Sequence, residues 1–368
     1  MALELLSIAT ALPSCDVSQK TAAEMAKPMC CRSQAQERLL PALYRRSRVQ
    51  RRASVLLTQG SDMQKGGAAT QSFFAAATDA QDLGPTTGRR MQRYSREAPR
   101  LARRACAEAM DIAAVDRGEV THLVTVSCTG FEAPGVDVSI IRQLGLPQTT
   151  ARTHVGFMGC HGALNGLRVA HAFAAADDDA VVLLCAVELC SLHFHYGWVP
   201  EQVVANALFA DGAAAVVAAA PAPARTGSRL RLSASGSCIL PESEDAMTWR
   251  IDDHGFVMSL SPRVPKLIQS QPRPWLARWL SGFALSVDAI GSWAVHPGGP
   301  RIVSAVGEAL ALTDAQLAPS REVLARCGNM SSPTVLFILD DLARQDAPRP
   351  CVALGFGPGL AVEAALFE

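Results

Sequence analysis

Three residues stand out by type and by the glycines beside them. Cys160 sits in Gly159-Cys-His-Gly162, His296 in Trp293-Ala-Val-His-Pro-Gly-Gly-Pro300, and Asn329 in Cys327-Gly-Asn-Met-Ser-Ser-Pro333. A helix N-terminus and a nearby imidazolium both lower a thiol pKa. A carboxamide can donate to an oxygen on which negative charge develops. A cysteine, a histidine and an asparagine at glycine-marked boundaries are therefore the parts for thioester chemistry: a nucleophile, its ion-pair partner and an oxyanion donor. On this reading iodoacetamide modifies Cys160 first among the eleven cysteines, at a pH below that of a free thiol. Taken singly, each residue has a plainer reading, a packed core thiol for Cys160 and an N-cap for Asn329.

Other groups carry less. Cys185-x4-Cys190-x2-His193-x-His195 has metal-ligand residue types, but Cys185 lies inside an apolar run and no second pair has finger spacing, so a cavity-lining segment is expected and no metal. Arg45, Arg46, Arg48, Arg51 and Arg52 form the densest positive cluster, read as a solvated face or as a docking patch for the phosphates of a nucleotide-bearing substrate. Phe209 reads on composition as plain core. Gly355-Phe-Gly-Pro-Gly359 lacks the lysine of a phosphate loop and reads as a tight turn shaping the pocket.

The elements that must position these residues follow an α/β rhythm. Residues 15–95 have helical patterning only in pieces and read as a peripheral cap. From Ser95 a helix is expected to about Ala114, then strands at Thr121–Ser127, Val155–Met158, Ala180–Glu188 and Ala213–Ala219, with a helix over Cys160–Ala174. The strands lack polar alternation, which implies burial on both faces. Pro221–Gly227 reads as a linker dividing the chain into halves 1–220 and 221–368. After it come Leu230–Ser235, a helix Arg263–Phe283, a strand Ser292–Val295, helices Arg301–Leu312 and Asn329–Arg344, and two terminal strands. The halves rhyme, each placing a glycine-led helix N-terminus after a strand, which suggests a duplication whose two N-termini share a centre.

Composition narrows the partners. With 368 residues, 49% hydrophobic and 18% charged, the chain can bury a large core, and 34 basic against 34 acidic residues leave no global field for nucleic acid or an anionic membrane. The odd cysteine count at irregular spacing argues for free thiols in a reducing cytoplasm. No apolar run approaches the roughly 20 residues needed to span a bilayer.

From Ser7 to Phe367 the chain resembles type III polyketide synthases of the chalcone synthase-like superfamily. The resemblance rests on Gly156-Phe-Met-Gly-Cys160-His-Gly-Ala, Val295-His296-Pro-Gly-Gly-Pro, Gly328-Asn329-Met-Ser331-Ser, Ala-Leu-Phe209-Ala-Asp-Gly and Gly355–Gly359, in the family's order. It implies a five-layered αβαβα thiolase fold of two duplicated halves, a homodimer, catalytic Cys160, His296 and Asn329, and a gatekeeping Phe209. It implies coenzyme A thioesters as substrates, an acyl-CoA starter and malonyl-CoA, with no metal or redox cofactor. By motif, Cys128, Thr129, Cys190, His193, Trp249, Met258 and Ser331 line the cavity, and Arg46 falls close to a coenzyme A-binding position. Where the family sends a methionine into the partner's pocket, this chain has Ala133. The segments Ser127–Gly135, Glu188–Phe194 and Ser243–Arg250 are similar to bacterial members that make alkylresorcinols or alkylpyrones, so a long-chain acyl starter is expected. The alternatives are a chalcone-type synthase with an aromatic starter, an initiating ketoacyl-carrier-protein synthase making one condensation, and a non-catalytic acyl-binding member.

Overall fold

The computed structural model describes residues 2–59, 69–221 and 230–368. Past Pro221, the linker read at 221–227 lies outside the described residues. The first half comprises β1 (Leu3–Ala11), β2 (Asp16–Ser18), α1 (Gln19–Cys30), α2 (Gln34–Arg46), β3 (Arg51–Ala53), α3 (Thr87–Ala113), β4 (His122–Ser127), α4 (Val136–Leu144), β5 (Ala151–Gly156), α5 (Gly162–Ala176), β6 (Val181–Leu189), α6 (Pro200–Leu208) and β7 (Asp211–Ala219). The second comprises β8 (Leu230–Ile239), the hairpin β9 (Met247–Asp252) and β10 (Gly255–Leu260), α7 (Val264–Ser270), α8 (Pro272–Ser281), β11 (Ser292–Val295), α9 (Pro300–Leu310), α10 (Asp314–Cys327), α11 (Thr334–Arg344), β12 (Cys351–Gly357) and β13 (Ala361–Phe367).

Strand order exposes the duplication. Nine strands run β11-β12-β13-β8-β1-β7-β6-β4-β5. Outward from the β8–β1 junction, β1-β7-β6-β4 mirrors β8-β13-β12-β11. The pair types agree as well: antiparallel, antiparallel, then parallel in both halves. Only Leu3–Leu5 of β1 pair with β8, so this short junction lets one sheet turn into two layers.

Side-chain alternation then stacks the layers. Every residue of β6 and β7 is buried, as apolar runs covered by helices on both faces must be. Val182, Leu184 and Ala186 pack on a central layer with Leu164 and Leu167 of α5 and Leu336 of α11. Val181, Leu183, Cys185 and Val187 face Ala98, Ala102, Ala105 and Ala109, the small-residue stripe of α3. In the second half Ala294 and Ala353 face the central layer, whereas Trp293, Val295, Val352 and Leu354 face the outer core shared with α7, α8 and α9. Helix, sheet, helix pair, sheet, helix is the αβαβα thiolase architecture.

Boundaries moved where proline misled. α3 begins at Thr87, two turns before Ser95, because Pro99 lies inside the helix rather than in its first turn. The segment read as one helix over Arg263–Phe283 is two, broken at Gln271, with Pro272 opening the second. Asn329 precedes α11, which starts at Thr334, and the strand read at Val155–Met158 is β5, ending at Gly156. The N-terminal strand β1 and helix α10 had no counterpart in the sequence reading.

Candidate active site

The connection from β5 to α5 is built by backbone shapes that few residues accept. Phe157 and Gly159 both have positive φ, 59° and 83°. A Cβ on Gly159 would sit 2.5 Å from Pro358 Cδ, so the cysteine turn lies directly on the Gly355–Gly359 loop. Cys160 follows, immediately before His161, the N-cap of α5. From the other half, Ser331 donates to the Cys160 sulfur at 3.6 Å. The two helix N-termini do share a centre.

Asn329 is fixed by the segment after α6. Its N–H donates to Leu208 O and its carbonyl accepts from Ala210 N–H, both at 2.9 Å, which places it against Phe209. Its Oδ1 accepts from Ser331 N–H at 2.8 Å, which leaves its NH2 group as a donor that favours a charged Cys160 sulfur. His296 ends β11 with its N–H on Leu354 O at 2.8 Å; both ring nitrogens are buried without a partner among the described residues. Cys160 and Ser331 line the cavity, whereas Asn329 and His296, each 1% exposed, stand behind its surface.

Burial dominates the electrostatics. It pushes the Cys160 thiol up to about 11, opposed by hydrogen bonds from Ser331 and Asn329. It pushes the His296 imidazole down to about 3. Burial thus opposes the thiolate that the helix N-terminus favours, and it opposes the imidazolium as well. Glu188, which the sequence reading left without a role, is wholly buried and accepts from Cys128 N–H (2.9 Å), Thr129 Oγ1 (2.7 Å) and Ser332 Oγ (2.6 Å). It ties the end of β4 to the second half, and burial raises its pKa. Its signal was a lone charge at the end of an apolar run.

The cavity encloses about 1230 Å³ of empty space including its mouth. Cys128, Thr129, Cys190, His193, Phe209, Trp249, Met258 and Ser331 all line it, as expected. Trp249 Nε1–H donates to Cys128 O at 2.7 Å. His193 donates from Nε2 to Thr129 O (2.7 Å) and accepts at Nδ1 from Phe256 N–H (2.9 Å), so its tautomer is locked; with burial holding it down at about 3, it is a wall rather than a base. Arg46 is exposed at the end of α2 and does not line the cavity. Arg52 does, donating to the carbonyls of Asn206 and Phe209. Val17, Met25 and Met29 from the start of the chain, with Leu57 and Phe74, line it too, so the segment expected to be a cap supplies an apolar part of the cavity wall.

Comparison with known proteins agrees with this geometry. Residues 2–222 match the family model for the N-terminal domain of chalcone and stilbene synthases, and residues 231–368 the model for the C-terminal domain. The chain is 35% identical over 272 residues to 1,3,6,8-tetrahydroxynaphthalene synthase of Streptomyces peucetius, covering 73% of this chain and 72% of that protein. It is 34% identical over 256 residues to the alpha-pyrone synthesis polyketide synthase-like Pks18 of Mycobacterium tuberculosis, covering 68% and 65%. Among solved structures, PKS-I of the brown alga Ectocarpus siliculosus superposes with a TM-score of 0.91 at 27% identity, covering 100% of this chain and 98% of that one. The type III polyketide synthase domain of Steely1 from Dictyostelium gives 0.88 at 25%, covering 100% and 99%. With both domain models matched end to end around a cysteine, an asparagine and a histidine drawn from two duplicated halves, this chain belongs to the chalcone and stilbene synthase family and is a type III polyketide synthase.

Proposed function

We propose that the enzyme loads a long-chain fatty acyl group from coenzyme A onto Cys160, extends it repeatedly with malonyl-CoA and closes the product to an alkylresorcinol or alkylpyrone. The observation that carries this reading is the apolar wall that Val17, Met25, Met29, Leu57 and Phe74 add to the same cavity that holds Cys160, a lining that suits a methylene chain. The relative whose name specifies alpha-pyrone synthesis supports the same product class.

In the loading step His296 takes the Cys160 thiol proton, and the sulfur attacks the starter's thioester carbonyl. The bond to coenzyme A breaks and coenzyme A leaves as its thiolate, which takes a proton from solvent, while His296 keeps the Cys160 proton as an N–H that can donate. Malonyl-CoA then binds with its thioester oxygen toward Asn329 Nδ2 and His296. Carbon dioxide leaves, the electron pair passes into an enolate held by these donors, and the enolate carbon attacks the acyl group on Cys160, expelling the sulfur. Phe209, at the junction of cavity and Asn329, borders the passage, and the phosphates of coenzyme A lie toward the arginine cluster. We divide the chain between Ala220 and Pro221. The protein acts as a homodimer in a reducing cytoplasm. Its free edge strand β5, with Phe131 and Met158 exposed nearby, supports the dimer, and eleven free thiols support the compartment.

A panel of acyl-CoA starters with malonyl-CoA, read by product mass, tests the proposal. Each added methylene buried against that apolar wall contributes at most about 0.8 kcal/mol, so KM should fall along the series until the space is full. Turnover of coumaroyl-CoA without turnover of C12–C18 thioesters would reject the starter. A single condensation from labelled malonyl-CoA would reject iteration.

A further inference from the structure

His161, next to the reactive cysteine, has no part in the scheme above. It is 2% exposed, and its Nδ1 lies 2.7 Å from Asn165 Oδ1. A carboxamide oxygen only accepts, so Nδ1 carries the ring proton and Nε2 is a bare acceptor. That Nε2 is buried without a partner among the described residues, as are both ring nitrogens of His296.

Strand register brings the two rings together. β11 and β12 run parallel with Val295 beside Leu354, so His296 stands beside Gly355. Val295 and Leu354 face the outer core, so the next position on each strand faces the central layer. On that face His161 fills the space of the missing side chains: a Cβ on Gly355 would lie 2.8 Å from His161 Cβ, and a Cβ on Gly357 would fall on the His161 ring. His161 therefore packs over Gly355, the position one strand spacing, ~4.8 Å, from His296, and is near enough to act on the His296 ring electrostatically. Three buried, unpartnered nitrogens in one place are an arrangement that folded proteins satisfy with a direct bond or a bridging water.

We propose that His161 is a positioning residue for His296: its Nε2 accepts an N–H of His296, directly or through one buried water, and so fixes the tautomer whose other nitrogen is free to take the Cys160 proton. This rests on the reading that His296 takes that proton. When it does, the S–H bond breaks and an N–H bond forms, and the imidazolium keeps donating its other N–H to a neutral acceptor, which favours the charged ring. The charged or titratable groups facing the pair are Cys160 and, across α5 and β13, the ion-paired Arg168 and Glu363, with Glu188 on the thiol side. Burial holds His161 below the usual histidine range, so it remains an acceptor at neutral pH. Its protonation in acid would turn Nε2 into a donor.

The test uses the full chain with His161→Phe, which keeps a ring without an acceptor, and His161→Gln, which restores an acceptor. His161→Phe should lower kcat by about tenfold or more with KM for malonyl-CoA little changed, and should raise the pH at which iodoacetamide inactivates. His161→Gln should recover most of both. Wild-type kcat and an unmoved pH profile in folded His161→Phe would overturn the proposal. Should that variant not fold, 15N-histidine NMR of the wild-type chain decides: Nδ1–H for His161 is required, and Nε2–H overturns it. His296→Gln separates the two readings, since wild-type turnover there defeats the base itself, whereas an inactive His296→Gln beside an unaffected His161→Phe removes only the positioning role.

Discussion

Moving a thiol and an imidazole from water into packed protein disfavours the charged form of each, which is why Cys160 and His296 shift in opposite directions, to about 11 and about 3. The sign for reactivity follows. A raised thiol pKa means the nucleophilic thiolate grows with pH, so a Cys160 left to burial alone alkylates ever faster toward pH 11 and is nearly inert at neutrality. Removing the base should expose that condition: in His296→Gln the iodoacetamide profile should centre near 11, and in the wild type lower, because His296 accepts the proton. Coincident profiles would show that His296 does not serve as the base. The residue types and their glycine neighbours were legible in the sequence, since a nucleophile turn requires positive φ at Gly159 whatever surrounds it. The direction of the pKa shift was not, because burial, the hydrogen bonds of Ser331 and Asn329 and the charge of Glu188 all come from residues distant in the chain.

At the scale of elements, α1 supplies part of the cavity wall, and the proposed acyl site makes it the element that sets chain length. Ser18 caps it, accepting from Thr21 N–H at 3.1 Å, and Met25 and Met29, one turn apart, line the cavity. Met29→Trp should fill the space beside it, shifting products toward shorter acyl chains while leaving kcat for a C6 starter within about twofold, because an overpacked wall excludes only the ligand atoms that need its space. An unchanged product length would place the acyl chain elsewhere. The strands β6, β7 and β11 were readable because continuous apolar runs announce burial on both faces. α1 was not, since its cavity-facing methionines and alanines look like any amphipathic fragment until a cavity gives them a side.

Across the whole molecule, β5 ends the sheet and pairs only with β4 among the described residues, while Phe131, 53% exposed, meets Phe157 edge-on just past β5 and stacks on Phe256. An uncovered edge beside exposed aromatic surface is the feature a twofold partner would cover. Phe131→Asp should therefore weaken self-association by at least about tenfold in sedimentation velocity, since a carboxylate must be desolvated at the junction. A wild-type chain that sediments as a monomer at micromolar concentration would remove the dimer.

The duplication was audible in the sequence as a rhyme of strand, glycine and helix, because local backbone geometry is written in local residues. Its meaning was decided only when β1, unnoticed at the start of the chain, paired with β7 on one side and β8 on the other and joined the halves. By itself the sequence determined which atoms are available for thioester chemistry and which turns present them. Tertiary structure decided which atoms meet, how dry their meeting place is and how far the cavity runs, because contact and desolvation depend on segments brought together from opposite ends of the chain.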